Sequence, residues 1–179
     1  MVSQLVTKLI ILDTYHSALV LCNVLDLLTF CIEAHGYHMR NHCLHKDILK
    51  RVLILLHSAH KFLVLTALRV LRKVLQLKEE FYHRYIVKND LFDPVVKLFT
   101  SNGHRYNMID SAVIEMFEYI ITEDIVSLIS YTVKTHWDAL GKVTYVNTFK
   151  RLKERFDVSS RPNRNDAPSI FGTAMSSGM

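Results

Sequence analysis

Glycine and proline are scarce in this chain. Five Gly and three Pro serve 179 residues, and two of the Pro fall within the last 18. A β-sandwich or barrel turns too often to manage with so few, so the shortage points to long helices joined by short loops. Cysteine is equally sparse, and the count of three is odd. Cys22 and Cys31 sit inside apolar runs, as buried free thiols do. No disulfide framework fits, and a reducing compartment, nucleus and cytoplasm, is the expected location. Charge of one sign does not dominate. A net charge of +5 and a pI near 9.1 permit an acidic or nucleic-acid partner without demanding one. The longest apolar run, "SALVLCNVLDLLTFCI", has 16 residues and contains Asn23 and Asp26, which is short and polar for a bilayer span. The start, "MVSQLVTKLIIL", is interrupted by Lys8 and has no small-residue cleavage site, so no secretory signal is read there.

What the chain does have is apolar residues, at 50% of the total, enough for one sizeable core. They recur. Three windows lie 46 residues apart: "LCNVLDLLTF" (21–30), "ALRVLRKVLQ" (67–76) and "VIEMFEYIIT" (113–122). Apolar residues match at Leu21/Ala67/Val113, Cys22/Leu68/Ile114, Val24/Val70/Met116, Leu25/Leu71/Phe117 and Leu28/Val74/Ile120. Polar residues match at Asn23/Arg69/Glu115 and Asp26/Arg72/Glu118. Each window reads as a helix that is dry on most sides, and such a helix must be covered on most sides. A stack of like units does that; an isolated hairpin does not.

A second repeated segment precedes the later copies. "LHKDILKRVLIL" (44–55) aligns with "VKNDLFDPVVKL" (87–98) at an offset of 43, with Asp47 opposite Asp90. The difference from 46 predicts three extra residues in the second inter-helix loop, "TSNGHRYN". Each unit is read as two helices. A period of 43–46 residues lies in the armadillo/HEAT range. The expected fold is therefore an all-α, right-handed armadillo/HEAT-like superhelix of three to four repeats. It covers residues 1–156, with helices over 123–140, ended by Gly141, and over 143–156. The tail 157–179, rich in Ser, Asn, Pro and Gly, is expected to be disordered.

Residues 22–156 resemble the central armadillo-like domain of protein phosphatase 4 regulatory subunit 3, the SMEK or Falafel family. The resemblance is carried by "LLTFCIEAHGYHMRNH", "KFLVLTALRVLRKVLQLKEEFYHRYIVKNDLFDPVV", "NGHRYNMIDSAVIEMFEYIITEDIVSLI" and "YVNTFKRLKERF". It implies a scaffolding subunit without catalysis of its own, whose partners are the catalytic and second regulatory subunits of a serine/threonine phosphatase 4 complex. Full-length members carry an EVH1-like domain that reads proline-containing motifs. This sequence has none, so that mode of substrate recognition is not carried over. The metallophosphatase motifs Gly-Asp-x-His, Gly-Asp-x-x-Asp-Arg and Gly-Asn-His-Glu are absent, as are a phosphate loop, Gly-x-Ser-x-Gly and His-Glu-x-x-His.

The residues that stand out are weighed against plainer roles. "HGYHMRNHCLH" (35–45) holds four His and one Cys, but Gly36 separates His35 from the others, and a zinc site needs three or four convergent ligands. Solvated or capping histidines are expected, with no metal or cofactor. Arg69, Arg72 and Lys73 make a basic stripe that is either a binding patch or one rung of a charge ladder. Equivalent helices lie side by side, so the ladder is predicted as Asp26, Arg72, Glu118. In "FYHRYIVKND" (81–90), Phe81, Tyr85 and Ile86 are expected in the core, leaving Tyr82, His83 and Arg84 freer, with Tyr82 and Arg84 as candidate partner contacts. On the loop, Arg105 and Tyr106 are candidates too, while Asn107 or Asp110 is placed to cap the next helix. Trp137 is assigned to the core. The four cations of "FKRLKERF" (149–156) are read as the solvated face of a capping helix rather than a localisation or nucleic-acid patch. The favoured function is a non-catalytic protein-binding scaffold. The alternative is a helical-repeat module that binds nucleic acid through its basic faces, here Arg69, Arg72 and Lys73.

Overall fold

The structure, a computed structural model, describes residues 14–103 and 107–160. Nine α-helices and no strand occur among them. They fall into three groups of one long and two further helices. The first is α1 (Tyr15–Ala34), α2 (Gly36–His45) and α3 (Ile48–Ile54), which tightens into a 3-10 turn at Leu55–His57. The second is α4 (Lys61–Gln76), α5 (Glu80–Lys88) and α6 (Asp93–Ser101). The third is α7 (Met108–Thr122), α8 (Val126–Leu140) and α9 (Thr148–Ser159). The repeat expected from the sequence is therefore present, but its unit has three helices rather than two. What read as one second helix breaks at Asp47 and Asp90, both left-handed with φ of 50°.

Those breaks explain how the fold manages with so little glycine. Asp47, Lys78, Asp90 and Asp124 all stand just past a helix end in the left-handed region that glycine usually fills. At Asp90 and Asp124 the next amide closes the helix, Leu91 N–H to Ile86 C=O and Ile125 N–H to Ile120 C=O, each at 3.1 Å. Helix starts are marked differently. Thr14 and Ser17 form a reciprocal capping box at α1. Asn107 accepts from the Asp110 amide at 2.9 Å, so α7 begins at Met108, before the expected 111. The connection before α4 runs over 58–60 and that before α7 over 102–107. The second is three residues longer, as the offset arithmetic predicts.

The long helices α1, α4 and α7 pack side by side in sequence order. Contacts across each pair run in the same direction, Cys22 to Thr66, Asp26 to Arg69 and Glu33 to Lys73, so α1 and α4 are parallel. α4, flanked on both sides, buries nine of its 16 residues, among them Leu63, Leu68, Val70, Leu71 and Val74. α1, flanked by α4 alone among the long helices, buries five of 20 and leaves Leu19, Leu27 and Phe30 exposed. It is longer than the apolar run read from the sequence, and by length and hydropathy it could cross a bilayer, although its ion pairs with α4 tie it into the stack. The joint between the second and third groups is aromatic. Phe92, Phe99, Phe117, Tyr131 and Phe149 are all buried, with neighbouring ring centroids at 5.5–5.6 Å.

The last group departs from expectation at its ends. α8 starts at Val126, so Glu123 and Asp124 belong to the junction before it. Gly141 does end α8. A Cβ there would meet both the Trp137 carbonyl and its indole at 3.0 Å, so this close approach selects glycine. α9 begins at Thr148 rather than 143 and runs to Ser159, past the expected boundary at 156. Residues 161–179 of the expected tail lie outside the described residues. Trp137, assigned to the core, is only half-buried and lies beside Lys153, whose ammonium is 5.8 Å from the ring centroid.

Candidate functional site

The basic stripe is spoken for. Arg69 pairs with Asp26 at 3.7 Å, Arg72 with Glu115 at 2.6 Å and Lys73 with Glu33 at 2.8 Å. Lys78 and Glu123 add another cross-helix pair at 2.5 Å, and Arg151 of α9 takes Glu118 at 2.6 Å. A charge ladder thus crosses the stack, but not in the predicted register. Arg72 was expected against Asp26 and Glu118, and it meets Glu115 instead. Residues i and i+3 share a helical face, so pattern matching leaves the axial level open by one turn. Equivalent positions are 46 apart, whereas the cross-helix contacts join residues mostly 43–45 apart. These contacts offset each long helix from its neighbour by one to three residues, less than a full turn. With its three cations neutralised in place, the stripe gives no support to the nucleic-acid reading. Three of the four cations of α9 are engaged likewise: Arg151 with Glu118, Lys153 with Asp157 at 3.0 Å and Arg155 with Asp124 at 3.8 Å.

Two tyrosines latch one unit to the next. Tyr85 of α5 donates to Asp47 at 2.6 Å, and Tyr131 of α8 donates to Asp90. His136 Nε2 lies 3.1 Å from the same Asp90 oxygen. Asp47 and Asp90 are therefore acceptors for the following layer, which explains why aspartate stands at these two positions where glycine would be easier. Hydrogen bonding from Tyr85 is the main cause that holds the Asp47 carboxyl below its ordinary range. Burial, with the Asp hydrogen bonds next, pushes both phenols above theirs. The signal was available in sequence: "YIVK" at 85–88 repeats as "YTVK" at 131–134. Asp110, unlike the Asp47 and Asp90 carboxylates, is buried; it accepts from Asn102 at 2.5 Å and Tyr145 at 3.4 Å, contacts that the sequence reading did not anticipate.

On α5, Ile86 is buried and Tyr85 packs against the core as expected, but Phe81 and Tyr82 are exchanged. Tyr82 has no exposed surface and His83 is buried, while Phe81 is 45% exposed. Tyr82 as placed offers nothing to a partner. Arg84 is exposed and folds back on Glu80, its Nε at 3.0 Å. Arg105 and Tyr106 lie outside the described residues. Phe81 instead meets α2, where Arg40 lies over two rings, its Cζ 5.2 Å from the Tyr37 centroid and 5.3 Å from that of Phe81. Arg40 also faces Glu79 at 3.6 Å, beyond hydrogen-bond range. The four histidines of 35–45 are all exposed, and no group of three or more His, Cys, Asp or Glu converges among the described residues. Cys43, between them in sequence, is buried, and burial pushes its thiol up to about 11.

The geometry is thus a layered stack with paired charges on its ridge and no assembled chemistry among the described residues. Comparison with known proteins identifies the stack. The family model "Phosphatase 4 regulatory subunit 3" matches residues 2–158. This chain belongs to the phosphatase 4 regulatory subunit 3 family. It is 51% identical over 145 residues to "Serine/threonine-protein phosphatase 4 regulatory subunit 3" of Drosophila melanogaster, a match covering 81% of this chain and 15% of that one. It is 43% identical over 149 residues to "Protein PPP4R3C1" of Mus musculus, covering 83% of this chain and 18% of that one. The chain thus spans less than a fifth of the length of these relatives. No solved structure matches. All but the last residue of the nine helices lies inside the family match, so the stack is the element shared with the phosphatase 4 regulatory subunit 3 proteins. The family is one of regulatory subunits.

Proposed function

We propose that this chain is a non-catalytic scaffold of a serine/threonine protein phosphatase 4 complex, and that it contacts the catalytic and second regulatory subunits. The observation that carries the reading is the family match across nearly every helix of the stack. The architecture supports it. Charge pairs and tyrosine latches join each layer to the next, so the stack holds its outer surface in a fixed shape for partners. No motif for phosphoryl or acyl transfer is present in the sequence. The proposed location is nucleus and cytoplasm, in keeping with three cysteines and no disulfide among the described residues. Affinity purification of the tagged chain from cells, read by mass spectrometry, tests the partners. Stoichiometric recovery of the catalytic and second regulatory subunits is expected. Their absence, with the chain folded and soluble, defeats the assignment.

A further inference from the structure

One surface cluster is left unexplained by stacking. Tyr37 is 67% exposed and Phe81 45% exposed, yet they come from different layers and flank one guanidinium. Exposed aromatics beside an arginine are the side chains that anchor protein interfaces. The polar groups beneath are under-used. Arg40 Nε, Glu79 Oε2 and the Tyr82 hydroxyl are each buried and without a hydrogen-bond partner. The Arg40 guanidinium has five donors, and against them stands one carboxylate 3.6 Å away. Glu79 lies beside the start of α2, its Oε1 3.9 Å from where a Cβ on Gly36 would stand, and it reaches Arg40 at ion-pair but not hydrogen-bond distance.

The surroundings set the sign of the partner. The segment 35–46 contains Arg40, Lys46 and four histidines and no carboxylate. Glu80, the next acid on α5, is already taken by Arg84. We propose that Tyr37, Arg40 and Phe81 form a docking site for an acidic segment of a protein partner. A carboxylate of that segment takes the guanidinium donors that Glu79 leaves unused, and an adjacent apolar side chain lies on the two rings. The site rests on the scaffold reading, but its test does not run through any phosphatase subunit, so the two can fail separately.

The test is selection of a random dodecapeptide phage library on the purified chain, followed by fluorescence anisotropy with the enriched peptides. Peptides with Asp or Glu beside Phe, Leu or Trp are expected to enrich. Their affinity should fall by roughly ten-fold or more with Arg40→Glu and with Tyr37→Ala, as truncation of an interface anchor does. Tyr37→Ala alters a largely exposed side chain and keeps the test open if Arg40→Glu fails to fold. Arg84→Glu reverses a nearby charge that is already paired and should change binding little. The site is overturned if nothing enriches, if enriched peptides lack acids, if Tyr37→Ala binds as the parent does, or if Arg84→Glu weakens binding as much as Arg40→Glu.

Discussion

Aspartate in a left-handed turn is the residue-scale device on which the stack depends. Asp90 and Asp124 share the same strained backbone, but only Asp90 accepts from a tyrosine in the next layer. Glycine relieves the backbone at either position. Asp90→Gly also removes the carboxylate shared by the Tyr131 hydroxyl and His136, both 8% exposed, and leaves them only their contact with each other. It should lower stability by about 1–3 kcal/mol, the cost of unpaired buried polar groups. Asp124→Gly loses a long exposed ion pair at most and should be neutral or stabilising by up to about 1 kcal/mol. Urea titrations of the two variants check the contrast, and equal effects would contradict the latch. The pH response follows from the same groups. Burial holds the His83 imidazole below its ordinary range, and the Tyr85 bond does the same for Asp47. Depressed values give stability that is present above the unfolded pKa and lost as pH falls, so melting temperature should drop from about pH 6.5 downward and again near pH 4. Tyr82, Tyr85 and Tyr131 are raised, chiefly by burial, and their contribution is lost as pH climbs through and beyond about 10. A flat profile of melting temperature between pH 4 and pH 7 would count against these assignments. The Asp47/Asp90 correspondence was readable in the sequence. Its purpose was not, because the partner tyrosines lie about 40 residues downstream and their bond depends on how layers dock.

At the scale of the helix, the decisive fact is that neighbours are offset by one to three residues from the repeat. It gives Arg72 to Glu115 rather than Glu118. A double-mutant cycle on Arg72 and Glu115 should show coupling of up to about 1 kcal/mol, as befits a pair with one partner largely exposed, and a cycle on Arg72 and Glu118 should show less. The reverse ranking would restore the register expected from sequence. The long helices, their apolar faces and the difference in loop length were legible, because 3.6-residue periodicity and sequence offsets report them directly, whereas the breaks at Asp47 and Asp90 were not. Axial level was not, since shifting a helix by one turn leaves its apolar face almost unchanged. A different ambiguity, one of rotation, exchanged Phe81 and Tyr82 on α5, where one residue decides which ring is buried. The aromatic joint offers a stronger perturbation. Phe117 touches both Phe92 and Phe149, and Phe117→Ala should cost about 3–5 kcal/mol by leaving a cavity between the second and third layers. A loss below about 1 kcal/mol would mean the joint is not packed as described.

For the whole molecule, stacking joins three incomplete units into one continuous core. The middle layer is covered on both sides, and the first keeps an apolar outward face with Leu19, Leu27 and Phe30. The charges that suggested a nucleic-acid surface go instead to binding layer to layer. The central claim is that the stack is recognised by phosphatase 4 subunits. Size-exclusion chromatography with light scattering on the purified chain, mixed with purified catalytic and second regulatory subunits, tests it most directly. A single peak with the summed mass of the three is predicted; the chain eluting alone at every concentration tried would contradict it.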